Sequence, residues 1–242
     1  MPEMIFGADI SGALAAAIML VSAPAGLCPP AAPVKVSVEF EHKQNPVEKK
    51  VTSQSLTAQM RQVENTPDSA NAFATEAHWM VGGLNSSNLR TGYQMPYLRR
   101  DSKDGMSCIM PQAFNYTITY ENTIYIAEDF RLMGCRYSAT MAHEKRHEKT
   151  DIKILEDHAD KVRKALEKAV SGMRPLGPVP AQQIEAEYTR LAGEIAASIQ
   201  PLHAQMMAER RKKHAEIDSY ENYMRDTALC PEQFPRFQQD GE

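Results

Sequence analysis

The chain has 242 residues, of which 43% are hydrophobic and 24% charged, and its formal net charge is −4. This composition is typical of a soluble globular protein, and it excludes a wholly disordered, collagen-like or multi-span membrane chain. With 27 basic against 31 acidic residues, the chain has no cationic surplus for nucleic acid, so we expect no nucleic-acid partner.

Residues 1–25 have the pattern of a secretory signal peptide. A nine-residue apolar run, Ala13–Val21, is followed by small residues at Ala23 and Ala25. The run is too short to span a bilayer, which takes roughly 20 apolar residues. No Lys or Arg precedes it, and the alternative is a buried helix of a cytosolic protein. We expect a periplasmic or secreted protein without a membrane span after cleavage.

The four cysteines are expected to form disulfides in an exported protein. Four cysteines allow three pairings. Cys108 and Cys135 flank the segment before the main motif, whereas Cys28 and Cys230 lie near the two ends of the mature chain. We therefore predict Cys108–Cys135 with Cys28–Cys230. No C-x-x-C spacing is present to indicate a cysteine-bound zinc ion.

Residues 26–135 are predicted to form a small mixed or antiparallel sheet with one short helix. Alternating apolar residues predict a strand over Val34–Phe40, and Ser55–Gln62 is predicted to be a helix with Ser55 as its N-cap. The further predicted elements are a turn at Asn65–Asp68, a strand with alternate residues Phe73 to Val81 on one face, a loop at Gly82–Asp104, and a hairpin of Tyr116–Tyr120 and Thr123–Ala127 around Glu121-Asn122.

Residues 136–227 are predicted to form a long two-helix antiparallel hairpin, in one domain with residues 26–135. Apolar residues recur every three or four positions from a helix N-cap at Ser138 to Val170, and again from Ile184 to Met224. Three prolines and two glycines in Ser171–Pro180 separate the two helices. Pro201 should kink the second helix or split it at Gln200. With residues 228–242 as a C-terminal tail, the fold class is α+β.

The motif that carries chemistry is His-Glu-Lys-Arg-His at positions 143–147, within the first predicted long helix. Histidines four residues apart lie on the same helical face, so both imidazoles of His143 and His147 can bind one zinc ion. Zinc lowers the pKa of a bound water to about 7, and Glu144 would take its proton as general base. The alternative is a charged, solvated helix face.

A third zinc ligand is expected from the second long helix, because an antiparallel return brings its end towards the histidines. The candidates are Asp218, His214, Glu216 and Glu221, with Asp218 preferred. Asp151 continues the histidine spacing, but it lies about 12 Å along a straight helix from position 143. Asp151 is therefore expected to orient His147 from outside the ligand set, or to be a surface charge.

The chain resembles a proteobacterial family of predicted secreted zinc-dependent proteases over residues 33–226. The residues that carry the resemblance are Trp79, Gly-Cys-Arg-Tyr at 134–137 and the HExxH pentapeptide. The resemblance implies zinc, with His143 and His147 as ligands, Glu144 as base and Asp218 as third ligand. Two positions depart from the family pattern: Arg146 stands where the family has Gly, and the sequence Ile217–Tyr223 retains Asp218 but lacks the later His-Gly.

These observations predict an exported zinc-dependent metallopeptidase that acts on a peptide or protein substrate, with Tyr220 or Tyr223 as a candidate oxyanion donor. A different class is a non-catalytic envelope protein, in which a structural metal supports a helical hairpin that binds a partner. A metal held by four protein ligands would favour that second class. Cleavage of a cell-wall peptide crosslink is a third possibility. The oligomeric state is left open.

Overall fold

The computed structural model describes residues 28–30, 32–48, 50–64 and 81–230. The predicted signal peptide, the predicted turn at 65–68 and nearly all of the predicted strand at 73–81 lie outside these residues. The strands are β1 (Lys35–Gln44), β2 (Gly83–Gln94), β3 (Tyr97–Asp101), β4 (Met106–Pro111), β5 (Ala113–Ile126) and β6 (Leu176–Pro180). The α-helices are α1 (Ser53–Glu64), α2 (Gly134–Val170), α3 (Ile184–Ala197), α4 (Gln200–Ile217) and α5 (Tyr220–Ala228).

Within the part of the chain that the structure describes there are two three-stranded sheets, and they confirm the α+β fold class. In the first, the central strand β5 pairs in parallel with β1 and antiparallel with β2. The second is antiparallel, in the order β3-β4-β6. Alternate residues of β5, among them Phe114, Ile118 and Tyr120, are fully buried with Leu155, Val162 and Leu166 of α2. The long helix therefore lies across one face of the first sheet.

The predicted hairpin around Glu121-Asn122 is wrong, because β5 runs without a break through both residues. Asn122 is almost fully buried, and its amide nitrogen donates to Asn85 Oδ1 and to Glu148 Oε1, both at 3.2 Å. Glu121, on the opposite face, pairs with Arg90. Glu121 and Asn122 thus continue the alternation of partly exposed and buried residues along β5, and they do not form a turn.

The predicted loop at Gly82–Asp104 is also wrong, because it contains β2 and β3. Much of β2 is exposed, so its sequence carries little of the apolar alternation by which a strand is recognised. Its hydrogen bonds come from β5 over the whole register from Gly83 opposite Ile126 to Gln94 opposite Asn115. The partner strand, rather than local hydrophobicity, stabilises this segment.

The predicted long helices are present, with shifted ends. Helix α2 begins at Gly134, and Ser138 lies inside it, with its hydroxyl donating to the Gly134 carbonyl. Helix α1 likewise begins before Ser55, whose N–H donates to the Thr52 hydroxyl. The predicted split at Gln200 is confirmed, since α3 ends at Ala197 and α4 begins at Gln200. A second break at residues 218–219 separates α4 from α5.

Two disulfides are present, but the predicted pairing is wrong. The bonds are Cys28–Cys108 and Cys135–Cys230. The second bond joins the first turn of α2 to the residues just after α5, so residues 228–230 belong to the folded part. Cysteine positions along the chain could not indicate this, because the return of α5 to the start of α2 is a tertiary feature. Among the described residues, no helix is long and apolar enough to cross a membrane.

A buried polar cluster lies beside the sheet, two helical turns beyond Asp151 on α2. His158 Nε2 is 2.9 Å from His203 Nδ1, and the Tyr116 hydroxyl is 2.6 Å from His203 Nε2. His158 is 2% exposed. Burial, the neighbouring His203 and Lys161 lower the pKa of His158 to about 4.

We expect this cluster to make the protein less stable in mild acid. Between pH 4 and 6.5 the unfolded chain binds a proton at His158 that the folded chain does not, so stability falls as the pH falls through this range. His158 should contribute on the order of 2 kcal/mol to the difference in unfolding free energy between about pH 7.5 and pH 4.5. Urea unfolding at both pH values should show a smaller difference in His158→Gln. An unchanged difference would contradict this assignment.

Candidate metal centre

Three potential metal-ligand atoms meet where α2 passes the end of α4. Asp218 Oδ1 lies 2.9 Å from His147 Nε2 and 3.1 Å from His143 Nε2, and the two imidazole nitrogens are 3.2 Å apart. We call these three residues the His-His-Asp triangle. In the described residues, this is the group of His, Cys, Asp and Glu side chains whose donor atoms converge closely enough for one metal ion.

The triangle results from two antiparallel helices that present residues at matching spacings. His143, His147 and Asp151 lie four residues apart on α2, and Arg210, His214 and Asp218 lie four residues apart along α4 and its C-cap. Residues at such spacings share a helical face. Where the two faces meet, Arg210 and His214 contact Asp151. Asp218 contacts His143 and His147. The break after Ile217 then directs the chain into α5.

The geometry and chemistry of the triangle fit zinc. Two imidazoles and a carboxylate are ligands that zinc accepts, and a site with three protein ligands retains a fourth position for water or substrate. At zinc–ligand distances of about 2.0–2.1 Å, neighbouring ligand atoms of a tetrahedral site are about 3.4 Å apart, so the triangle needs to expand by only a few tenths of an ångström. The side chains of His143 and Asp218 are 19% and 34% exposed, which leaves the triangle accessible from solvent.

The charges of the metal-free triangle are strongly coupled. Burial opposes protonation of His143, but its hydrogen bond with Asp218 and the charge of Glu144 raise its pKa. Burial lowers the pKa of His147. Burial also opposes ionisation of Asp218, but hydrogen bonds from the two imidazoles hold its pKa well below the ordinary range. The triangle thus contains an ionised carboxylate and at least one imidazole N–H hydrogen that bonds to it. A cation bound at the triangle would displace this proton.

A fourth side chain, Asp226 on α5, orients His143 from behind. Asp226 Oδ2 lies 3.1 Å from His143 Nδ1, and it also accepts a hydrogen bond from Arg146. A carboxylate that accepts from the far nitrogen of a ligating imidazole orients the ring and makes it a better ligand. Sequence reasoning missed Asp226. The sequence signal for Asp226 was its position eight residues after Asp218, at helical spacing. In the structure, the Cys135–Cys230 disulfide holds α5 in place.

We expect Asp226→Asn to weaken zinc binding about tenfold, because loss of an outer carboxylate partner typically costs 10–100-fold in metal affinity. Competition with a chromophoric chelator would measure this affinity. The matched control is Asp157→Asn, an exposed aspartate on the outer face of α2, which should bind zinc like the unchanged protein. Equal affinities in both variants would show that Asp226 does not support His143.

Glu144 lies on the side of α2 that faces the sheet. A Cβ atom at Gly83 would lie only 2.7 Å from Glu144 Oε1 and 2.6 Å from Thr140 Cγ2, so this glycine makes the room that the carboxylate occupies. Burial raises the pKa of Glu144 to about 7, with the charge of Asp218 adding to it and His143 and the Asn85 backbone opposing it. A carboxylate with a pKa near neutrality suits proton transfer, and a bound cation would lower this value.

Asp151 is not a surface charge, nor does it contact His147 as expected. It is fully buried, and it accepts hydrogen bonds from Arg210, His214 and Tyr120 at 2.7, 2.8 and 3.0 Å. Burial opposes its ionisation, but the hydrogen bonds from Arg210 and His214 hold its pKa well below the ordinary range. Asp151 therefore joins α2 to α4 beneath the triangle.

The acidic candidates Glu216 and Glu221 are not part of the converging group. Glu216 and Glu221 are exposed, and Glu216 pairs with Lys213. Tyr220 is 53% exposed. Burial raises the pKa of Tyr223, although the positive charge of Arg136, near the beginning of α2, partly opposes this.

Comparisons of this chain with protein-family models, with curated proteins and with solved structures find no match. The resemblance to predicted secreted zinc-dependent proteases stays a prediction.

Proposed function

We propose that this protein is an exported zinc-dependent hydrolase that cleaves peptide bonds. The observation that carries the proposal is the convergence of His143, His147 and Asp218 donor atoms, with a buried glutamate adjacent in sequence to the first of them. Two disulfides support export to an oxidising compartment, the periplasm or the cell exterior.

Each residue has a distinct role in this proposal. His143, His147 and Asp218 would hold the ion, which would polarise the scissile carbonyl and activate water. Glu144 accepts the proton of the attacking water and returns it to the leaving amine. Its burial against β2 fixes the position of the carboxylate. Asp226 keeps His143 in the orientation in which Nε2 faces Asp218 and would be available to the ion.

The non-catalytic alternative is less well supported. A structural zinc site is closed by four protein ligands. Within residues 28–30, 32–48, 50–64 and 81–230, the cluster that can hold a metal offers three donors. An open coordination position is what a hydrolytic site needs, and it gives a purely structural ion no advantage.

The proposal is tested by measuring zinc content and hydrolysis in the same preparation. We expect about one zinc per chain by elemental mass spectrometry, and cleavage of an unfolded protein such as casein that stops on chelation and returns with added zinc. Stoichiometric zinc without cleavage of casein or of a mixed peptide library would favour the structural role. Absence of zinc after incubation with excess metal would refute the proposal.

A further inference from the structure

The two histidines of the triangle are oriented in different ways. His143 has a hydrogen-bond partner for its second nitrogen, since Nδ1 faces Asp226. The Nδ1 atom of His147 is buried and has no hydrogen-bond partner among the described residues. A ligating imidazole almost always uses its second nitrogen for an orienting hydrogen bond. On its Nδ1 side, the ring of His147 must therefore be held by something other than a hydrogen bond.

The ring of His147 packs against two other imidazoles. The ring centroid of His214 is 4.7 Å away at an interplanar angle of 60°, and that of His143 is 4.9 Å away at 65°. Both arrangements are the inclined contacts that aromatic rings favour. Packing against His214 thus restricts rotation of the His147 ring.

His214 is itself held firmly. Its Nε2 lies 2.8 Å from Asp151 Oδ1, and Asp151 is fully buried. The same carboxylate accepts two hydrogen bonds from Arg210, both at 2.7 Å, and one from Tyr120. Because an ionised carboxylate can only accept hydrogen bonds, the Nε2 atom of His214 carries a hydrogen and donates a hydrogen bond to Asp151. The ring of His214 is consequently fixed at one edge by a rigid buried network.

We propose that His214, held by Asp151, is the positioning residue for His147, and that it acts by ring packing rather than by binding the metal. This inference rests on the proposed zinc site and deepens it. His214 was a candidate third ligand from the sequence, but the converging group comprises His143, His147 and Asp218 without it. The role of His214 is to keep the Nε2 atom of His147 directed at Asp218, since Nδ1 has no hydrogen-bond partner among the described residues.

Two substitutions at position 214 separate packing from ligation. His214→Phe keeps an aromatic ring but removes both nitrogens, whereas His214→Ala removes the ring. The exposed neighbour Lys213→Ala is the control. Affinity for Co²⁺ would be measured by competition with a chelating dye, and the visible absorption spectrum of the Co²⁺ form would report its ligands. In metal-free protein, NMR of the His147 Hε1 and Hδ2 protons would report the ring environment.

We expect His214→Ala to weaken Co²⁺ binding about tenfold. His214→Phe keeps the ring but loses the hydrogen bond to Asp151, so it should weaken Co²⁺ binding less than His214→Ala and leave the Co²⁺ spectrum unchanged. A loss in His214→Phe as large as in His214→Ala, with an altered spectrum, would make His214 a ligand and overturn the inference. Lowered stability with unchanged affinity in His214→Ala would also overturn it, because that is a merely structural role.

The NMR measurement keeps the inference separate from the proposed function. If the unchanged protein binds no Co²⁺, the proposed function fails, but the metal-free spectra still decide the positioning role. His147 ring resonances that shift and broaden in His214→Ala, and are sharp in His214→Phe, would support it. His147 resonances unchanged in both variants would overturn it.

Discussion

Replacing His147 by Ala is expected to abolish stoichiometric zinc binding and, with it, all zinc-dependent hydrolysis. His147 supplies the most deeply buried donor of the triangle, with a side chain only 8% exposed, and its Nε2 is 2.9 Å from Asp218. Loss of an outer hydrogen-bond partner already costs 10–100-fold in affinity, so loss of a direct ligand should cost more than about a hundredfold. Zinc content after dialysis, measured by elemental mass spectrometry, checks this.

The control for this experiment is His42→Ala, which removes a partly exposed imidazole that bonds to Asn122 outside the triangle. It should retain full zinc. Full zinc occupancy in His147→Ala would rule out the triangle as the metal centre. Full occupancy in Asp218→Ala, with loss in His147→Ala, would instead move the third ligand to His214, Glu216 or Glu221.

Replacing Glu144 by Gln should remove turnover while zinc and the fold are retained. A general base contributes typically 10²–10⁴-fold to the rate, so kcat should fall by about that factor. Glutamine has the shape of glutamate and fits the space beside Gly83. Because burial raises the pKa of Glu144 to about 7, ionisation of this carboxyl costs free energy in the metal-free fold, and a neutral amide should not destabilise it.

The control for the second experiment is Glu148→Gln, four residues further along the same helix. Glu148 is also a buried glutamate, but it accepts from the Asn122 amide on the sheet and is not part of the triangle. Zinc content, urea unfolding and hydrolysis would be measured for both variants. We expect Glu148→Gln to retain most of its kcat. Unchanged kcat in Glu144→Gln would refute its role as base, and lost zinc would show that it is needed for the site to form.

Where local periodicity was strong, the sequence predicted the structure well. The buried positions Leu155, Val162 and Leu166 of α2 are those that the three-and-four spacing indicates, and Pro201 marks a true helix boundary. The strands were harder, because β2 has little apolar alternation of its own and is stabilised by hydrogen bonds with β5. A segment of this kind cannot be recognised without its partner strand.

The sequence by itself determined that His143 and His147 share a helical face, because spacing along an α-helix decides that geometry locally. It also placed Glu144 directly after His143 in the chain. It also limited the third donor to a few acidic or imidazole side chains near residue 218. Only the tertiary structure decided that Asp218 meets the histidines, since this requires α4 to run antiparallel to α2, joined to it through Asp151. The return of α5 with Asp226, and the cysteine pairing, likewise depend on contacts between residues distant in the chain, which local sequence patterns do not encode.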